Sequence, residues 1–396
     1  MKKIRGKLLA GFLTFMLTAT TVYADGNISV KPSDNTTGIY TVTGDVDKVP
    51  EILAQSAIVV DMKTGYTLVE KNIYDKLYPA SITKIMTAIL TLEHASLDET
   101  VTFSYDAVYS VEPGSSAAYV DEGEQLSVEQ CLYGLMLISG NDLANGLAEH
   151  VGGTMDNFAI MMTNKAKELG CENTNFTNAH GLHDENHYTT VYDMALIAKY
   201  AYDNLEMFRT LCSTGYYECE PTNKQTETRY WRNNNKLINS KQEQYYEPCI
   251  GGKTGFTNQA GGTLVTYANI NGRTLMCIVM KTANSLASYA DTTELYEYVK
   301  NNIGDDVFAS LDAKYEEETA EKPEETTAGQ EQTTTEKVTA ASTTTTTEQE
   351  DGGMWIGWKI LILAVTVLII YYVYVRYMRY LNKKRKIEQK RRRRRD

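Results

Sequence analysis

Tyr78-Pro79-Ala80-Ser81-Ile82-Thr83-Lys84-Ile85-Met86-Thr87-Ala88 sets a serine three residues before a lysine at the start of a helical pattern. Apolar side chains at Ile82, Ile85, Met86 and Ile89 recur at the spacing of one helix face, so that face is expected to be buried. A helix through this stretch places Ser81 and Lys84 on neighbouring turns of the same side, where a neutral lysine amine can take the serine hydroxyl proton. Unpaired backbone N–H groups at the helix start would then face a carbonyl oxygen under attack. Serine three before lysine is common in a chain this long, so the pair gains weight only from its company.

That company is two further stretches. Ser139-Gly140-Asn141 follows an apolar run over 132–138, and Lys253-Thr254-Gly255 precedes a strand expected over 263–268. Ser-x-x-Lys, Ser-x-Asn and Lys-Thr-Gly, in that order, mark β-lactamases and penicillin-binding proteins. From residue 54 to 299 the chain resembles the serine-type D-alanyl-D-alanine carboxypeptidases, the low-molecular-mass penicillin-binding proteins of bacterial cell walls. The resemblance is carried by Pro79-Ala80-Ser81, Lys84-Ile85-Met86-Thr87, Ser139-Gly140-Asn141, the segment from Gly181-Leu182 to His187-Tyr188-Thr189-Thr190, Asn233 to Leu237, and Gly252-Lys253-Thr254-Gly255-Phe256-Thr257.

The resemblance implies that Ser81 is acylated, that Lys84 takes its proton, and that Ser139 and Asn141 complete the proton network. It also implies substrate binding by Lys253, Thr254, Gly255, Phe256 and Thr257, with the N–H groups of Ser81 and Phe256 forming the oxyanion hole. The implied substrate is a peptidoglycan stem peptide ending in D-Ala-D-Ala, with β-lactams as inhibitors and no cofactor. These roles are chemically coherent, because a lysine acts as base only when burial and a nearby cation such as Lys253 depress its pKa. The chain departs from the family in one place. An arginine directly before an aromatic residue commonly holds the substrate carboxylate, whereas Ser288 precedes Tyr289 here, so the expected cation is missing. A β-lactamase would also need a base for deacylation, and no Glu-centred loop of that kind is evident. Intact Ser81 and Lys84 argue against a non-catalytic wall-binding or sensor module.

Outside that core the 396 residues are unevenly built. Residues 1–24 have a basic start, an apolar core and small residues before Ala24, the pattern of a secretory signal peptide. A polar, flexible leader is expected over 25–50, the catalytic domain over 51–305, and a Thr/Glu-rich disordered stalk over 306–353. The segment 354–375 carries an uncharged run from 360 flanked outside by Trp355 and Trp358, which is enough for a transmembrane helix. The tail, 376–396, holds twelve Lys and Arg against two acids, a net of +10, which leaves −22 for the rest of the −12 chain. Following an apolar run directly, this tail fits the cytoplasmic side of a single-pass membrane protein whose catalytic domain lies outside; a nucleic-acid partner is not expected.

Six cysteines in the exported part permit disulfides, with Cys212 and Cys219 nearest in sequence, although Cys131 and Cys277 lie in apolar runs and read as buried thiols. His180, His183 and His187 have a spacing that could bind zinc, but no Cys or Glu completes a known motif, so no metal is expected.

Hairpin signals flank Lys63-Thr64-Gly65 (strands at 57–61 and 66–70) and Asn271-Gly272 (strands at 263–268 and 274–280). Helical patterns run over 128–138, 143–150, 155–169 and 192–202, and a last helix is expected over 290–301. Strands at both ends around a helical middle give an α+β fold, one antiparallel sheet flanked by helices with a mostly helical subdomain, as in β-lactamase/transpeptidase-like proteins.

Overall fold

The computed structural model describes residues 29–32 and 39–320. The chain opens with strands β1 (Ile39–Thr41), β2 (Ser56–Asp61) and β3 (Thr67–Lys71). All six residues of β2 are buried, as its continuous β-branched run requires of a strand covered on both faces. The β2–β3 turn is set by Asp61, whose carboxylate accepts from the Thr64 hydroxyl at 2.5 Å, and by Gly65 at φ +76°.

A helical middle follows, made of α1 (Lys84–His94), the short ribbon β4 (Thr100–Thr102) with α2 (Tyr105–Tyr109) and β5 (Gln125–Ser127), then α3 (Val128–Leu137), α4 (Asn141–Gly152), α5 (Met155–Glu168), α6 (Val191–Asn204) and α7 (Glu206–Ser213). The caps explain where these helices begin and end. Ser127 and Gln130 form a reciprocal capping box on α3, Thr190 caps α6, and α4 stops at Gly153 in the left-handed conformation. A two-stranded ribbon, β6 (Tyr216–Cys219) with β7 (Arg229–Arg232), leads back to the sheet through β8 (Cys249–Thr257), β9 (Gly261–Ile270) and β10 (Arg273–Thr282). Helices α8 (Ser285–Asn302) and α9 (Asp305–Ala320) close the described chain.

The six-stranded sheet has the order β1-β3-β2-β10-β9-β8 and all its pairings are antiparallel. The strand alternation splits the hydrophobic residues into two cores. Ile58, Val60, Val265, Tyr267, Met276 and Ile278 face the helical middle, while Val59, Leu264, Ala268, Leu275, Cys277 and Val279 face α8 and α9. The α+β expectation therefore describes the molecule.

Several sequence expectations are corrected. Lys253-Thr254-Gly255 does precede the expected strand, which is β9, and itself lies inside the preceding strand β8. The leader expected to be flexible contributes structure: Lys31 bridges to Tyr66, and β1 pairs with β3 because that sheet edge is otherwise open. The stalk expected from 306 begins instead with the helix α9. Phe308 and Leu311 supply a buried stripe, and Arg273 and Lys63 pair with Asp312 while Lys31 pairs with Glu318, so an acid-rich segment finds both apolar and ionic partners. All six cysteines are free thiols, five of them buried. The signal peptide, the transmembrane segment 354–375 and the basic tail lie outside the described residues; within them no helix is long and apolar enough to cross a membrane.

Candidate active site

Ser81 sits in a short 3₁₀ turn, Ala80–Thr83, that leads into α1 at Lys84, and not inside an α-helix as its pattern suggested. Ala80 has φ +50°, a left-handed conformation that costs energy for a residue with a Cβ. Neighbours hold it there. The Thr263 hydroxyl donates to the Pro79 carbonyl at 2.8 Å, and Gly181 packs so closely that a Cβ there would lie 1.8 Å from the Ala80 oxygen. In a 3₁₀ turn residues i and i+3 eclipse, which aligns Ser81 with Lys84. Their Oγ and Nζ are 3.1 Å apart.

Lys84 is fully buried. Its Nζ lies 2.6 Å from Asn141 Oδ1 and 2.7 Å from the His180 carbonyl oxygen. Burial pushes its pKa well down, and the neighbouring Lys253 adds to the shift while Asp142 opposes it. A neutral amine has two N–H groups and one lone pair. Both hydrogens are claimed by oxygens that can only accept, so the lone pair is left for the Ser81 hydroxyl.

Asn141 opens α4, and its backbone N–H donates to the Ser116 carbonyl at 2.9 Å. The next residue, the buried Asp142, accepts from the N–H groups of Ala118 (2.9 Å) and Val120 (3.3 Å), which pins the 116–120 loop beside Asn141. Ser139 has φ +64°, and its buried hydroxyl has no hydrogen-bond partner among the described residues. That hydroxyl is left to pair with a group that enters the cavity.

Lys253 on β8 is also buried, and burial pulls its pKa down to about 7; its Nζ donates to the Thr254 carbonyl at 3.0 Å. Strand β8 is the edge of the sheet beside the Ser81 turn, so it can offer backbone groups to an extended peptide. Ser81, Ser139, Asn141, Thr254, Gly255, Phe256 and Thr257 line one cavity of about 470 Å³. Lys84 and Lys253 are not among the lining residues. The three motifs thus converge, from the turn before α1, the start of α4 and the end of β8.

The three histidines serve a different end. His187 Nε2 bonds the Thr83 hydroxyl at 2.8 Å and its Nδ1 accepts the Thr177 N–H at 3.1 Å; burial drops its pKa to about 3 and keeps the ring neutral. His180 Nδ1 accepts from the Leu182 N–H, and His183 packs edge-on against Tyr78. They hold the loop whose His180 carbonyl touches Lys84.

Sequence reading assigned no site role to the rest of the rim, although Leu182, Asn234 and Lys236 lie in segments that carry the resemblance: Gly114 to Ser116, Leu182, Asn234, Lys236, Ser285, Leu286 and Tyr289. These come from separate loops and helix starts, where no periodicity gives a signal. Ser288, at the place where a cation was expected, is buried behind the cavity wall, and its hydroxyl bonds that of Thr282 at 2.7 Å.

Comparison with known proteins agrees with this geometry. Residues 43–284 match the Peptidase_S11 model, described as D-alanyl-D-alanine carboxypeptidase. The chain is 33% identical to the D-alanyl-D-alanine carboxypeptidase DacF of Bacillus subtilis over 62% of its own length and 61% of that relative. It is 31% identical to DacA of Haemophilus influenzae, covering 67% of this chain and 65% of that protein. The matched region therefore spans less than two thirds of these relatives. Among solved structures, the DD-transpeptidase of Streptomyces K15 aligns with TM-score 0.58 at 32% identity, over 63% of this chain and 97% of that one.

Proposed function

Because the chain belongs to the D-alanyl-D-alanine carboxypeptidase family of serine peptidases, we propose that it removes the terminal D-Ala from peptidoglycan stem peptides through a Ser81 acyl-enzyme. Ser81 Oγ attacks the carbonyl of the penultimate D-Ala while its proton passes to the Lys84 amine. The N–H groups of Ser81 and Phe256 receive the negative charge that develops on the carbonyl oxygen. Lys84, held by Asn141, returns that proton by way of the Ser139 hydroxyl to the departing D-Ala amine as its C–N bond breaks, and a water molecule then hydrolyses the ester to free Ser81. Lys253 keeps Lys84 deprotonated by adding a second potential cation to a dry site. Thr254 and Thr257 offer hydroxyls along the edge of β8. No step calls for a metal or an organic cofactor.

The observation that carries this reading is the Lys84 environment: a fully buried amine, two carbonyl oxygens on its hydrogens, and a serine hydroxyl 3.1 Å away. Sequence pattern supports an exported, single-pass protein with residues 354–375 in the membrane, the catalytic domain outside and the basic tail in the cytoplasm. A β-lactam presents a strained mimic of the same carbonyl, so penicillin should label Ser81 and leave it slowly.

The test combines D-Ala release from a D-Ala-D-Ala peptide with mass spectrometry of penicillin-treated protein. The wild type should turn over peptide and carry the adduct on Ser81, and Ser81→Ala should lose both. Rapid release of the penicilloyl group would instead make the protein a β-lactamase. No turnover and no adduct would leave a binding module.

A further inference from the structure

Resting on the carboxypeptidase reading, we propose that Lys236 is the cation that holds the substrate's terminal carboxylate. A substrate that ends in a free D-Ala brings a full negative charge into the cavity beside Ser81, and a cavity that discriminates for it must present a positive one. Among the described residues lining that cavity, Lys236 alone carries a charge, and no carboxylate lines it.

The other cations are committed elsewhere. Lys84 donates to Asn141 and His180 and serves the nucleophile, and Lys253 is buried with its ammonium on the Thr254 carbonyl. Lys281 donates to the Gln259 carbonyl. Arg273 sits between Asp61 and Asp312 at the opposite end of β10 from Thr282. Lys236 is half-buried and its ammonium forms no ion pair with the described residues.

Its backbone, by contrast, is fixed. Lys236 opens a 3₁₀ turn capped by the Asn235 side chain, and the next residue, Leu237, is buried in the core beneath α8. The Asn234 N–H donates to the Leu137 carbonyl at 2.9 Å, which ties the segment to the chain two residues before Ser139. The Tyr289 hydroxyl donates to the Asn234 carbonyl at 2.9 Å and accepts from the Lys236 N–H at 3.4 Å. A rigid base with an uncommitted charged end is the arrangement that recognises an anion with little ordering cost beyond the lysine stem.

The experiment compares a D-Ala-D-Ala tripeptide as the free acid with the same tripeptide as its C-terminal amide, in the wild type, Lys236→Met and Lys236→Arg. A charge-assisted hydrogen bond corresponds to about ten- to a hundred-fold in kcat/KM. The preference for acid over amide should therefore fall by about that factor in Lys236→Met and return in Lys236→Arg. Methionine keeps the length of the stem, and the ratio of two substrates on one protein cancels any loss of folded enzyme. An acid preference unchanged in Lys236→Met overturns the proposal. If peptide turnover is absent altogether, the same comparison is made on acylation of Ser81 by benzylpenicillin and its methyl ester, with the same expected loss of acid preference. Failure of that acylation in the wild type removes the carboxypeptidase reading and this inference with it, whereas acylation with an unaltered preference removes only Lys236.

Discussion

Gly255→Ala puts one methyl group where the end of β8 passes Ser81. A Cβ built on Gly255 would lie 2.4 Å from Thr263 Oγ1, 2.8 Å from the Ser81 backbone nitrogen and 3.2 Å from Ala80 Cβ. Restoring ordinary separation from Ser81 requires a shift of roughly half an ångström, and neither side can yield freely because Ala80, Ile82 and Thr83 are buried against the sheet. The second clash strikes the Thr263 hydroxyl that donates to Pro79, so the substitution also pulls at the bond that holds the turn from behind. Overpacking of this kind costs about 1–3 kcal/mol of stability. A displacement of 1 Å at a reacting group can cost about a hundred-fold in rate, so half of that should slow Ser81 acylation by roughly ten-fold or more. The assay is the second-order rate of penicillin acylation, followed beside a urea unfolding curve. Acylation within two-fold of wild type at unchanged stability would show that β8 does not approach Ser81 as closely as these distances state.

Two other substitutions test different parts of the same framework. Lys253→Met should change how stability depends on pH: with its folded pKa near 7 against an ordinary 10.5, Lys253 sheds a proton in the folded state that the unfolded chain keeps, so its cost is full below about pH 7 and is relieved as pH rises toward 10.5. The stability of wild type relative to Lys253→Met should thus rise by about 1.4 kcal/mol per pH unit between roughly 7.5 and 9.5, with the shared buried thiols and tyrosines cancelling; a flat difference in urea titrations would mean that Lys253 stays charged when folded. Arg273→Ala should destabilise by about 3 kcal/mol because it removes the counter-ion of the buried Asp61 carboxylate, whereas Asp312→Ala, removing a partly exposed partner, should cost nearer 1 kcal/mol; equal losses in thermal unfolding would contradict that division.

The sequence made the strongly patterned parts readable. The Ser81–Lys84 pair, the Ser139 motif and the Asn271-Gly272 hairpin each sit where a periodic run meets a turn, and Asn271 and Gly272 both take positive φ as the tight turn demands. What escaped reading depends on partners distant in the chain. The 3₁₀ turn at Ser81 is imposed by Gly181, Gly255 and Thr263, none of them near it in sequence. Helix α9 looks like solvated acidic chain because only Phe308 and Leu311 anchor it apolarly, and the cations that steady it come from Lys31, Lys63 and Arg273. The β6–β7 ribbon is four residues a side with mixed polarity, too short for an alternation to declare itself. Asp142 and the His180 carbonyl carry site geometry through one carboxylate and one backbone oxygen, and a backbone oxygen has no letter in a sequence.

The ionic fastening of α9 also has a mechanical reading. Its anchors, Arg273 and the β2–β3 turn with Lys63 and Tyr66, lie at one end of the sheet, whereas Gly255, Gly262 and Thr282 beside the nucleophile lie at the other. Ten residues of β10 separate them, roughly 30 Å of extended strand. A force applied at Ala320 would enter the fold through Asp312 and Glu318, side chains remote from Ser81. The fastening of α9 and the surroundings of Ser81 thus share no side chain, and α9 could be loosened at Asp312 or Glu318 without touching a residue that lines the Ser81 cavity.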